Sequence, residues 1–576
     1  MTRRARLIRS LRKLHPSENQ LFALLAIAIG LAGGLAAVGF HELIEIVSEG
    51  FDEIGHALEG TLGDFAVMVP VVLGALLVGP LVFRLASEAK GHGVPEVMEA
   101  VQAKGGRIRP RVASVKAIAS AITIGSGGSA GREGPIVQIG STLGSLISRP
   151  FKMSDRRRST YVAAGAAAGV AAIFNAPLAG VFFALEVILR SFTARGFSTV
   201  VISAVTANAV WRVLVSDDPV LTVEPFKLEH PMELVLYGVL GLLAALVALG
   251  FVRLLYYVED RFEALEILGD LKPALGAFVV GAIGVASIDV LGSGIEGIDK
   301  ALAGNIAIIT VVLLLIGKAV ATSFTLGSGG SGGVFSPSLF IGAFLGSAYG
   351  SLVHELFPGV AEQQGAYAVV GMAAVFAAAA QAPMASIFMV FEMTNDFDLI
   401  MPLMTACAVS TVAYSALKRE SIYMEKLIRK RVNFDPERDQ NLMETISLTR
   451  AAEAKYLAVL ASSHPIVVAD QLDWSSEEYV IGVAGDRSLL CVVSRDAVYQ
   501  AARNGRSTVT EIKALADRSM PIAHPSDSLE QGMEMLEDAS IDFLPIVDWN
   551  ERVLGVATRF AIVRAYEEES ARLGSA

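Results

Sequence analysis

Charge is scarce in this chain: Lys, Arg, Asp and Glu make up 18% of its 576 residues, while hydrophobic residues make up 53%. An ordinary soluble domain carries about a quarter charged residues, so the shortage argues against a soluble globular protein and for a membrane protein. Cysteine is scarcer still. Cys407 lies in an apolar segment and Cys491 in the polar tail, too far apart in sequence to suggest a disulfide framework or a zinc site. No cluster of metal ligands, no nucleophile elbow, no paired-acid site and no nucleic-acid signature appears, so neither an enzyme, a metal, a cofactor nor a nucleic-acid partner is expected. The net charge of -11 says little about partners, because much of the acid belongs to the tail and the expected outer loops.

Long apolar runs are abundant instead: 21–40, 65–83, 234–252, 305–317 and 366–391, and roughly 20 apolar residues suffice to cross a bilayer. Other segments are short or broken by Gly and Pro, and non-helical backbone at membrane depth survives only where protein buries it or it lines a watery cavity. The basic start TRRARLIRSLRKLH reads as a retained cytoplasmic helix over 1–20, because no small-residue cleavage site follows it. A basic loop holding Arg107, Arg109, Arg111 and Lys116 and a basic segment holding Lys418, Arg419, Lys426, Arg429, Lys430 and Arg431 place both termini in the cytoplasm by the positive-inside rule. The acidic stretch 44–64 is then expected as an outer loop. The chain reads as a multi-pass protein of the inner or plasma membrane.

The sequence repeats itself. TIGSGGSAGREGPIVQIGSTLGS (123–145) aligns without gaps on TLGSGGSGGVFSPSLFIGAFLGS (325–347), 202 residues later, and FNAPLAGVFFALE (174–186) matches AQAPMASIFMVFE (380–392). The membrane domain, 21–431, is therefore a duplicated unit with halves at about 20–215 and 232–430, and the basic loops favour an inverted arrangement. Glycine-interrupted segments at corresponding positions of two halves point to a transporter's midplane binding site.

From 432 to 576 the composition becomes that of a soluble α+β domain, with IVVAD, YVIGVA, LLCVVS, PIVD and VLGVAT as strands and helices over 495–504, 528–539 and 560–573. The β-α-β-β-α order of 520–566 resembles a CBS domain. The tail is thus expected to be a cytoplasmic tandem pair at roughly 446–505 and 517–570.

Three segments, GHGVP (91–95), GREGP (131–135) and GGVFSP (332–337), together with Tyr423 in SIYMEKL, resemble the CLC chloride channel and transporter family in order and spacing. The fold this implies is an all-α multi-pass membrane domain of two inverted repeats, with a cytoplasmic α+β tandem CBS domain after it, assembled as a homodimer with one anion pathway per subunit. The physical reading agrees: each motif is a glycine-rich turn, a Pro and an apolar helical run, and helix N-termini offer an anion N–H groups and about half a positive charge without trapping it. The packing of small residues between helices is the alternative reading of one such turn. A dinucleotide fingerprint fails, because the turn occurs twice, lacks a βαβ setting and precedes no Walker lysine.

The resemblance implies that His92, Gly93, Arg132, Gly134, Val334, Phe335 and Tyr423 surround a chloride or another small inorganic anion. Glu133, an ionisable side chain in an apolar context, is the expected gate, opening when protonated or displaced; its alternative is a fixed partner of Arg132. Glu186 and Glu392 end matching segments and read as structural. Exchangers of the family typically carry a proton-path acid one residue after the first of these, where this chain has Val187. That favours a voltage- or pH-gated channel, with a proton-coupled chloride, fluoride or nitrate antiporter as the alternative. His92 stands where serine is commonest, either donating to the anion or turned away from it. In the tail, Ser494-Arg495-Asp496-Ala497 and Thr558-Arg559-Phe560-Ala561 lack the acid that meets a nucleotide's ribose, so a structural tail is expected rather than a nucleotide site.

Overall fold

The computed structural model describes residues 18–574 apart from 152, 222, 224–225, 229, 304–305, 358–363, 431–442, 444, 454–455, 474–478, 487, 504–510, 517–520 and 540. The expected N-terminal helix over 1–20 and Arg431 fall almost wholly or wholly outside these residues. The chain divides into two units, Met1–Val432 and Asn433–Ala576.

In the first unit, one half comprises α1 (Glu18–Leu62), α2 (Met68–Pro80), α3 (Val94–Ala103), α4 (Pro110–Gly125), α5 (Glu133–Ser148), α6 (Asp155–Ile173), α7 (Pro177–Phe183) and α8 (Ala194–Leu214). The other comprises α9 (Met232–Ala264), α10 (Lys272–Ala286), α11 (Ile295–Leu302), α12 (Ile308–Gly327), α13 (Phe335–Leu356), α14 (Gln364–Ala380), α15 (Pro383–Thr394), α16 (Ile400–Leu417) and α17 (Ile422–Arg429). Among the described residues seven helices are long and apolar enough to cross a membrane, and three more apolar helices are too short. The short ones are broken where the sequence places Gly or Pro. Residues 44–62 are not a loop; they continue α1, whose 45 residues outrun a bilayer's hydrocarbon core. The acidic residues there sit on exposed helical turns, and charge alone does not end a helix whose propensities are otherwise good.

The two halves meet on a local two-fold. Gly131 N–H donates to Gly333 O at 2.9 Å, and Gly333 N–H donates back to Gly131 O at 2.6 Å. Around this exchange, Ser120 Oγ lies 2.9 Å from Ser331 Oγ and Ser129 Oγ lies 3.0 Å from Thr322 Oγ1. Ser129 N–H donates to Thr325 Oγ1, and Ser331 N–H to Thr123 Oγ1. Shifting each residue by the 202-residue repeat turns either bond of a pair into the other. Within each half, close backbone crossings follow the same rule: a methyl on Gly140 would lie 3.0 Å from Gly165 C, and one on Gly342 would lie 2.7 Å from Met372 Cα. Small residues thus let α5 approach α6 and α13 approach α14, as in other membrane helix pairs.

The repeat extends further than the aligned motifs. Gly91 and Gly93 have φ of 73° and 78°, and Gly292 and Gly294 have φ of 54° and 78°, left-handed geometry that glycine adopts without penalty. Lys116 is not in a basic loop; it is fully buried in α4, donating to Ala89 O at 3.1 Å and Gly91 O at 2.6 Å. Lys318, its counterpart in α12, donates to Val290 O and Gly292 O, both at 3.0 Å. Each lysine ties down the turn that precedes a short helix, α3 or α11, and supplies the donors that its buried carbonyls need.

Among the described residues of the second unit there are two small sheets. In the first, β1 (Tyr456–Leu460) pairs parallel with β2 (Tyr479–Val483), which pairs antiparallel with β3 (Leu489–Ser494). In the second, β4 (Phe543–Val547) pairs antiparallel with β5 (Val553–Thr558). IVVAD is not a strand: it lies in the helix α18 (Pro465–Asp473), where Val468, Ala469 and Leu472 are buried at helical spacing. Packing against neighbours overrides the β preference of its branched residues. The expected helices appear as α19 (Arg495–Arg503), α20 (Leu529–Asp538) and α21 (Arg559–Gly574). Ser494 and Thr558 cap α19 and α21 through the amides of Ala497 and Ala561.

Candidate functional site

Glycine turns deliver three helix starts to one place, and Ser421 caps a fourth. α5 begins at Glu133, α13 at Phe335 and α17 at Ile422, while α3 begins at Val94 just after His92. Together they enclose a cavity of about 10 Å³, about the space that one water-sized particle needs. His92, Glu133, Gly134, Val334, Phe335 and Tyr423 are all among its walls. Gly93, Arg132 and Val187 are not. Gly93 instead packs beneath the wall, since a methyl on it would lie 3.0 Å from Gly134 O and 3.2 Å from Lys116 Cε. Arg132 occupies the position before α5, and its Nε is buried without a hydrogen bond.

Glu133 lies across the mouth of α13. Its Oε1 accepts from Ser336 N–H at 2.6 Å and its Oε2 from the Ser336 hydroxyl at 2.9 Å. The carboxylate therefore takes one of the free amides of a 22-residue helix, at the end where the backbone dipoles favour negative charge. Room for it comes from missing side chains: a methyl on Gly333 would sit 2.7 Å from Glu133 Oε1. Arg132 and Glu133 are adjacent in sequence, but no Arg132–Glu133 ion pair is formed among the described residues; Ser336, which holds the carboxylate from across the cavity, belongs to the other half.

The rest of the wall is apolar and aromatic. Phe335 stacks on Phe174 at 5.2 Å between ring centroids and meets Phe376 at 3.7 Å, and Phe183 stands edge-on to Tyr423 at 6.4 Å. Such walls exclude water, so a bound ion would rely on the few dipoles aimed at it. His92 is 5% exposed; its Nε2 lies 3.3 Å from the Tyr256 hydroxyl, which bonds the carbonyl of Ile422.

Glu186 and Glu392 make reciprocal caps. Glu186 accepts from Met384 N–H at 3.3 Å and Ala385 N–H at 2.9 Å, and Glu392 accepts from Leu178 N–H at 3.0 Å and Ala179 N–H at 2.8 Å. Val187, next to one cap, is buried at 5% exposure and carries no ionisable group. Ser336, Tyr256, Lys116 and Lys318 were not legible as site residues in the motifs. The two lysines had a signal: each lies within an apolar helical run, 17 residues before a motif residue, Glu133 or Phe335.

A glycine-broken membrane unit whose halves share one buried cavity at their helix ends is the architecture of a transmembrane pathway for a small ion. A profile of the voltage-gated chloride channel family matches residues 74–415, and the chain belongs to that family. It is 34% identical over 417 residues to a putative chloride channel protein ClcB-like of Ralstonia nicotianae, covering 71% of this chain and 97% of that one. It is also 34% identical over 475 residues to the H(+)/Cl(-) exchange transporter ClcA of Vibrio parahaemolyticus, covering 77% and 99%. Among solved structures, a slow cyanobacterial Cl-/H+ antiporter superposes with a TM-score of 0.66 at 26% identity, over 72% of this chain and 98% of that one.

Proposed function

We propose that this protein exchanges chloride for protons across the membrane, the second of the two readings drawn from the sequence. The observation that carries it is the seat of Glu133, a carboxylate occupying the helix end that an anion would use. An anion entering the cavity must displace that carboxylate, and a displaced or protonated carboxylate carries the second substrate. A passive channel, favoured on Val187 alone, gives way because the relatives include exchange transporters and an antiporter structure. The halves lie inverted across the bilayer with both termini in the cytoplasm. The tail, as a CBS pair, stabilises a homodimer rather than binding nucleotide.

The test is chloride efflux from proteoliposomes with a pH electrode in the bath. An outward chloride gradient is expected to draw protons inward against their own gradient. Chloride flux without any proton movement would return the protein to the channel reading.

A further inference from the structure

The ring of His92 is held in one tautomer. The Ile422 carbonyl can only accept, so the Tyr256 hydroxyl must spend its one hydrogen there. Its oxygen is then left to accept from His92 Nε2 at 3.3 Å, which assigns the ring's hydrogen to Nε2. Nδ1 is buried without a partner and, in the neutral ring, offers only a lone pair. The ring itself is a wall of the cavity shared with Glu133 and Tyr423. A serine at this position donates at any pH; a histidine locked this way has nothing to donate until Nδ1 gains a proton.

The charges acting on the ring make the same point. Glu96 on α3 attracts a charge on the ring, while Lys116 on α4, Lys426 on α17 and Lys430 just after α17 repel it; Glu96 is already paired with Lys430 at 2.8 Å, and Lys426 with Glu259. A lone imidazolium would add a further positive charge to this buried, lysine-rich surround, which is costly in a dry site. With an anion beside it the added charges cancel.

We propose that the central anion and a proton bind together, the proton on His92 Nδ1, so that this chain takes up its anion as an imidazolium-bound pair. The proton comes from solvent, Nδ1 gains an N–H bond, and the net charge of the site is unchanged. The proposal rests on the reading of this cavity as the anion site. It gives a chain with valine at 187 a titratable group in the same cavity as Glu133.

The test is chloride titration calorimetry on the solubilised protein carrying Glu133→Gln, which removes the other titrating group of the cavity. It is run from pH 5.5 to 8 in two buffers of different ionisation enthalpy, so that protons taken up per anion are read directly. About one proton per chloride is expected, with affinity falling roughly tenfold per pH unit above the ring's titration. His92→Ser in the same background is expected to bind with pH-independent affinity and no proton uptake, and His92→Asn serves if the serine variant does not fold. Tyr256→Phe frees the tautomer and is expected to flatten the pH dependence. Zero uptake with His92 present, uptake that survives its replacement, an unchanged slope in Tyr256→Phe, or no chloride binding at any pH would each overturn the proposal. No gradient is involved, so the result is independent of whether flux is coupled to protons.

Discussion

Replacing Glu392 with alanine strips the start of α7 of its acceptors. The amides of Leu178 and Ala179, 3.0 and 2.8 Å from the carboxylate, lose that acceptor. A buried unsatisfied amide costs about 1–3 kcal/mol. The Leu178 bond is exposed and the Ala179 bond part-buried, so the net worth of an ordinary hydrogen bond, about 1 kcal/mol each, applies instead. Loss of a carboxylate at a helix N-terminus adds about 0.3–1 kcal/mol. The sum is roughly 2–3 kcal/mol, and Glu186→Ala is expected to cost as much through Met384 and Ala385. Glutamine retains an acceptor but no charge, and should cost about half. The double alanine variant should cost less than the sum of its parts, because both caps hold the same helix pair and neighbouring sites couple. Thermal unfolding of detergent-solubilised protein at a fixed scan rate reads this as a drop of a few degrees, the shift per kcal/mol being small in a long chain. Both carboxylates are committed to capping, so Glu186→Gln should leave the proton-to-chloride ratio unchanged in vesicles. Alanine variants that melt within about 1 °C of the parent, or a ratio lost in Glu186→Gln, would refute the reasoning.

Three other perturbations follow from the site and its frame. Glu133→Gln removes the carboxylate that competes for the mouth of α13, and chloride efflux from vesicles should continue without drawing protons inward against their gradient. Gly140→Ala and Gly342→Ala each force a methyl against the backbone of the crossing helix, and each should lower stability by about 1–3 kcal/mol, seen as reduced monodisperse yield and a lower melting temperature. Val187→Glu places an acid beside the Glu186 cap; proton flux measured with the pH electrode should rise relative to chloride flux, and a ratio at or below that of the parent would show that this position does not limit the proton.

The duplicated motifs were legible because glycine turns and prolines at helix starts leave a residue-by-residue trace that survives 202 residues apart. The third pair of turns was not. GHG at 91–93 and GSG at 292–294 share backbone geometry, but Pro95 faces Glu296 and the likeness drops below what letters show. Lys116 reads as loop in the sequence because charge next to a basic loop looks like more loop; only the carbonyls of Ala89 and Gly91 reveal why a buried cation belongs there. IVVAD failed for the opposite reason, since its β-branched letters carry a local preference that the packing of α18 overrules. The partners of Glu133 and His92, namely Ser336 and Tyr256, come from the other half of the chain, and no local pattern announces a contact across such a span.

The paired amides of Gly131 and Gly333 also set a schedule for the ribosome. At roughly 5–20 residues per second, the first glycine leaves the peptidyl transferase centre on the order of 10–40 s before the second exists. During that interval the first half has been made while the groups that will satisfy Gly131, Ser120 and Ser129 have not. The nascent first half must therefore wait with a polar seam unpaired, held by the insertion machinery or by water, and the seam closes only when synthesis delivers its counterpart.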